Sequence, residues 1–193
     1  DFVFVDTNGT SAGAGQRLGA PGPENLSSPV QKLLGVTKLD PAVSESVAPN
    51  RVRVLTSDPA NNSTFGTLTI RRTVTNTTGA NITRLRFRII DFTTFPAPSG
   101  TADLRARTST APSPITITGP NPACPANVCV VVGTTLEQPP NQPNGGGYNS
   151  SLSAGTVTLG TPVVNGQSIN VQFLLGIQQT GNFRFFINVE ALP

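Results

Sequence analysis

Cys124 and Cys129 are the chain's only thiols, separated by four residues in Cys124-Pro125-Ala126-Asn127-Val128-Cys129. That spacing suits a small disulfide at the end of a hairpin, and an even pair with no third thiol fits an oxidising compartment. The same two sulfurs could be half of a zinc site. With no histidine and no other cysteine, however, carboxylates would have to complete the tetrahedron, so a disulfide is expected.

Other candidate chemistry is thinner. Gly9-Thr10-Ser11-Ala12-Gly13 has the lettering of a serine-hydrolase elbow, but that device needs a strained strand-to-helix turn and a histidine base, and the chain has no histidine. Asp6-Thr7-Asn8-Gly9-Thr10 opens like a calcium loop and lacks the closing bidentate glutamate. Asp91, Asp103, Glu137 and Glu190 are the carboxylates that could pair for glycoside chemistry, although no spacing places any two of them together. A spontaneous Lys–Asn cross-link would need Lys32 or Lys38 buried beside an acid, and both stand in polar stretches. Asn8, Asn25, Asn61, Asn62, Asn76, Asn81 and Asn149 each begin an Asn-x-Ser/Thr acceptor triplet, mostly in turn-like sequence where Asn and Thr are common anyway. No catalytic residue, metal site or cofactor is expected.

Arginine carries the positive charge. Of thirteen cations only Lys32 and Lys38 are lysine, and the net charge is +3. Arg71, Arg72, Arg84, Arg86 and Arg88 could form a stripe able to hold anionic polysaccharide, DNA or the acids of a neighbour or surface partner. Long side chains that merely solvate a sheet face are the competing explanation. A dedicated nucleic-acid binder would show a denser cluster with stacking aromatics, and the chain has one Tyr and no Trp.

The elements that must position these groups are strands. Charged residues make up only 12% of the chain, Gly and Pro number 19 and 18, and no stretch keeps a helical apolar period, so an all-β domain is expected. Nor is there an apolar run of the roughly 18 residues that could span a bilayer. The central stretch, Phe65 to Thr93, alternates Leu68, Ile70 and Val74 with polar residues. It turns through Asn76 to Asn81, then alternates Leu85, Phe87 and Ile89 with Arg84, Arg86 and Arg88. It reads as a β-hairpin with one oily and one arginine face. Further strands are expected over 30–39, 47–56, 102–107, 115–118, 128–136, 152–159, 169–175 and 183–189. Of these, 128–136 is apolar enough to be buried on both faces. Turn signals between short strands predict a β-sandwich, Greek-key (Ig-like) or jelly-roll-like.

The amino end stands apart. Phe2-Val3-Phe4-Val5, bracketed by Asp1 and Asp6, is an intensely β-prone segment, cut off by a Gly-, Ser- and Pro-rich spacer over 7–29. Residues 1–29 are therefore read as strand and arm, and 30–193 as the sandwich. A lone strand exposes its backbone and side chains to water, so it must join a sheet, its own or a neighbour's. The first residues lack the order of a signal peptide, so in an exported protein the signal would lie before Asp1. The final strand runs to Pro193 and is expected to be structural.

The segments RLGAPGPENLSSP, FGTLTIRRTVTNTTGANITRLRFRIIDFTTFPAP, GTTLEQPPNQPNGGG and FLLGIQQTGNFRFFINVEALP resemble the carboxy-terminal domain of large repeat-containing secreted proteins of soil and environmental bacteria. The likeness spans most of residues 16–193 and implies export and a surface or matrix role, with no catalytic residues to carry over. Three functions are therefore weighed. The first is a subunit of an extracellular filament, a homo-polymer in which Phe2, Val3, Phe4 and Val5 of one copy complete the sheet of the next. The second is a monomeric adhesion or anchoring module of a cell-surface protein. A carbohydrate-binding or carbohydrate-active domain ranks last.

Overall fold

A computed structural model describes residues 34–94, 101–138 and 141–192. The chain forms a β-sandwich. Its strands are β1 (Leu34–Lys38), β2 (Arg51–Val54), β3 (Thr67–Asn76), β4 (Arg84–Phe92), β5 (Asp103–Arg107), β6 (Ile115–Thr116), β7 (Val128–Cys129), β8 (Val131–Gly133), β9 (Thr135–Leu136), β10 (Ser151–Ser153), β11 (Ser168–Gln179) and β12 (Phe185–Leu192). Among the described residues the only helical turns are two single 3-10 turns, Pro59–Asn61 and Pro125–Asn127.

One layer is built on two long strands. β3 and β11 pair antiparallel from Thr75↔Ser168 to Thr67↔Gly176, and short strands flank both outer sides. β1 and β2 lie end to end along β3, while β8 (parallel) and β5 (antiparallel) lie end to end along β11. The second layer has the order β12-β4-β10-β9. Alternation along each strand sends one set of side chains between the layers. Leu68, Ile70 and Val74 of β3 and, beside them in the same layer, Val171, Phe173, Leu175 and Ile177 of β11 form one core with Leu85, Phe87 and Ile89 of β4. Phe87 and Phe173, almost fully buried, join the layers edge to face at 5.0 Å.

The stretch 65–93 is therefore not a hairpin. β3 pairs with β1, β2 and β11, and β4 with β10 and β12, so 77–83 is an arch that carries the chain from one layer to the other. Asn76 holds the start of the arch: it is buried, and its Nδ2 donates to the carbonyls of Ala80 (2.8 Å) and Val163 (2.7 Å). Ile82 bridges to Val163 at the far end. The physical reason is that an oily face is equally satisfied by lying beside another in one sheet or opposite it across a core, and alternation alone does not separate the two.

Residues 128–136 also depart from expectation. Instead of one strand buried on both faces they form three short strands: β7 pairs with β6, β8 with β11, and β9 with β10. Val130, between the first two, is 72% exposed. Of 152–159 only the start is strand, and Leu159 is exposed. Over the outside of β11, Gly176 lets the 58–66 loop rest on the sheet: a Cβ there would stand 2.0 Å from the Asn62 carbonyl oxygen.

Candidate functional site: an arginine-floored groove at the open edge

Among the described residues the sandwich does not close on one side. β1 and β2 form the edge of the first layer and β12 the edge of the second, and among the described residues no strand pairs with the outer side of either. Between them runs a cleft of about 530 Å³, lined by Val36, Ile70, Phe173, Phe185, Ile187 and Phe186 together with Glu45, Arg51, Arg72, Phe183 and Arg184. A smaller hollow of about 140 Å³, bounded by Arg53, Leu68 and Ile177, shares Phe183 and continues the seam.

Strand parity puts cations on the floor of this apolar groove. Arg72 has the parity of Ile70 and Val74, so it faces the interior, and Arg51 lies directly opposite Ile70. Arg72 pairs with Glu45, and Arg51 stands 3.9 Å from the same carboxylate oxygen. Two guanidiniums thus share one acid. Burial pulls the Arg72 pKa below its ordinary value, Glu45 opposes that shift, and the charge of Arg51 adds to it. Arg51 also lies over the Phe183 ring at 5.3 Å, and its buried Nε has no hydrogen-bond partner among the described residues. At the mouth, Arg184 pairs with Asp91 at 3.0 Å and stacks over the half-exposed Phe186.

Glu45 reaches the groove from the 39–50 loop that separates β1 from β2, and the base of that loop is a buried polar knot. The Asp40 carboxylate accepts from Thr118 N–H (2.7 Å), the Thr118 hydroxyl (2.9 Å), and the N–H groups of Gly119 and Ala42 (both 3.0 Å). Burial works against the ionised form, but the hydrogen bonds from Thr118, Ala42 and Gly119 prevail and hold the Asp40 pKa below the usual value. Asn50 accepts from Asp40 N–H at 2.7 Å and donates back to the Asp40 and Ser44 carbonyls at 2.9 and 3.2 Å. Lys38 Nζ caps the Pro41 and Val43 carbonyls. The loop's ends are thereby pinned, while Ser44, Glu45 and Ser46 at its tip are exposed.

The arginines expected to form a stripe are split between the layers. Arg71 lies on the outside of the first layer, donating to Gln172 Oε1 (3.2 Å) and the Pro49 carbonyl (3.1 Å), and burial lowers its pKa. Arg72 faces the groove. Arg84, Arg86 and Arg88 project from β4 on the outside of the second layer, where they form a ladder with acids. Arg84 meets Glu137 at 2.9 Å, and Glu190 takes Arg86 at 2.5 Å and Arg88 at 2.8 Å. The four carboxylates considered for glycoside chemistry each hold an arginine: Glu137 and Glu190 in this ladder, Asp91 with Arg184, and Asp103 with Arg105 at 2.6 Å. Among the described residues no three His, Cys, Asp or Glu side chains gather to hold a metal.

Cys124 and Cys129 are joined in a disulfide, buried in a small second core with Leu39, Ile117 and Val131. Asn76 is sealed in the arch, so its acceptor triplet offers no accessible amide. Phe2, Val3, Phe4 and Val5, the strand and arm over 1–29, the Ser11 and Asp6 motifs, Asn8, Asn25 and Lys32 lie outside the described residues. The groove itself was not foreseen from the sequence. Its visible trace is Phe183-Arg184-Phe185-Phe186, three aromatics around an arginine, all four of which line the cleft. Among the described residues no helix is long and apolar enough to cross a membrane. No protein-family model, curated protein or solved structure matches this chain.

Proposed function

We propose that this chain is a structural subunit of an extracellular bacterial filament, in which the Phe2-to-Val5 strand of one copy seats in the groove between β1–β2 and β12 of the next. The observation that carries this reading is the groove itself, an apolar slot between two strand edges left unpaired among the described residues, with Arg51 and Arg72 on its floor. An extended segment of four residues is about 13 Å long, and β3 lines the two hollows from Leu68 to Arg72, five residues or about 16 Å, so the strand fits. Alternation would turn Phe2 and Phe4 inward on the same face as Asp6, whose carboxylate adds a partner for the two guanidiniums that share Glu45.

Energetically the joint has two sources. Each phenylalanine buried contributes roughly 1.5–3 kcal/mol, and a free strand edge supplies backbone hydrogen bonds. The spacer over 7–29 could extend to about 75 Å, enough to reach a neighbour, and a head-to-tail contact of this kind propagates without closing. The buried disulfide suits an oxidising, extracellular setting. The same spacer, with an r.m.s. span of about 30 Å, would also let the strand fold back into its own groove, which is the monomeric adhesion-module alternative.

Negative-stain electron microscopy of the purified chain separates the two. Filaments are expected from the intact protein, and none from a chain lacking residues 1–6. Monodisperse particles from the intact chain, or filaments that survive the deletion, would overturn strand exchange.

A further inference from the structure

We infer that Glu45 is a built-in placeholder for the acid of the incoming strand, so that the groove selects apolar segments flanked by a carboxylate and Glu45 sets how tightly they are held. This rests on the strand-exchange reading. Three observations lead to it. First, Arg51 and Arg72 are partly buried in an apolar groove and, among the described residues, share a single carboxylate. Second, that carboxylate is the most solvated member of the cluster: the Glu45 side chain is 56% exposed, against 18% for Arg72 and 28% for Arg51. Third, Glu45 is carried on an exposed loop tip, while the loop's base is locked by the Asp40–Asn50 knot and by Lys38.

A side chain so placed can swing into water without disturbing the floor. The arginines cannot leave so readily, because Arg72 lies within the layer and Arg51 is stacked on Phe183. An arriving aspartate therefore meets a site already shaped for a carboxylate and competes with Glu45 for it. The competition makes the groove discriminating: an apolar strand with no acid leaves the Glu45 pairs intact and gains nothing from the arginines. An acid-flanked strand exchanges one carboxylate for another and also supplies the apolar contacts.

The test uses the full chain carrying Phe2→Ser and Phe4→Ser, so that its own strand does not compete, with and without Glu45→Gln. The probes are labelled peptides DFVFVD and NFVFVN, and fluorescence anisotropy reads the dissociation constant. Glu45→Gln is expected to tighten DFVFVD by about two- to fivefold, a gain that fades as salt is raised, and to leave NFVFVN unchanged. Equal DFVFVD affinity with and without Glu45, or tightening of both peptides alike, overturns the placeholder role while strand capture stands. Absence of DFVFVD binding to either form overturns strand capture and the placeholder role together.

Discussion

Replacing Asp40 by asparagine tests whether the groove loop is held by a buried charge. The side chain is fully buried, and four donors converge on its two oxygens. An amide cannot satisfy them all. If its nitrogen takes the Oδ1 position it faces the N–H groups of Ala42 and Gly119. If it takes the Oδ2 position it faces Thr118 N–H, while the Thr118 hydroxyl can turn to accept. The second arrangement is the cheaper. It strands one backbone donor, at about 1–3 kcal/mol, and the remaining bonds lose the extra strength a charged acceptor confers, so Asp40→Asn should cost about 2–5 kcal/mol. With a urea slope of about 2 kcal/mol/M that is a midpoint lowered by roughly 1–2.5 M, read by far-ultraviolet circular dichroism.

The pH dependence gives a second reading of the same bond set. The Asp40 pKa is depressed in the folded protein, so its stabilisation is fully present above the unfolded value near 3.9 and is lost as pH falls through the folded value. The gap between the native chain and Asp40→Asn should hold from neutrality down to about pH 5 and shrink below pH 4. A gap under about 0.5 kcal/mol at neutral pH, or one that does not narrow in acid, would refute the account.

Two further outcomes follow from the packing. Changing both Cys124 and Cys129 to serine opens a loop of sequence separation 5 inside the smaller core and should lower stability by about 2 kcal/mol. A reductant should bring the native chain down to the same melting curve, and a native chain unmoved by reductant would contradict it. Glu190→Ala leaves Arg86, whose side chain is 3% exposed, without its main carboxylate and should cost about 3–5 kcal/mol, whereas Glu45→Gln at the groove mouth should cost less than 1 kcal/mol by urea titration. Equal effects of the two would mean that burial does not govern these pairs.

Much of this protein is legible from its residues alone. Alternation along Leu68-to-Val74 and Leu85-to-Ile89 determines that both segments are strands with one apolar side, and sparse charge with abundant Gly and Pro determines that they sit in an all-β domain. Two cysteines with four residues between them determine a local disulfide. These are short-range properties, set by the period of the backbone and by which atoms are within reach along the chain.

What only the tertiary structure decided is which strand lies beside which. Parity says that Arg72 shares a face with Ile70 and Val74, but whether that face is core or groove depends on where the layers stop, and among the described residues they stop at β1–β2 and β12. The arch over 77–83 places Arg71 and Arg72 in one layer and Arg84, Arg86 and Arg88 in the other, turning an expected stripe into a groove floor on one side and an ion-pair ladder on the other. Residues 128–136 divide among three partners for the same reason. Strand pairing joins residues far apart in sequence through backbone groups that are alike in every residue except proline. The choice of partner is therefore made by the packing of the whole sandwich.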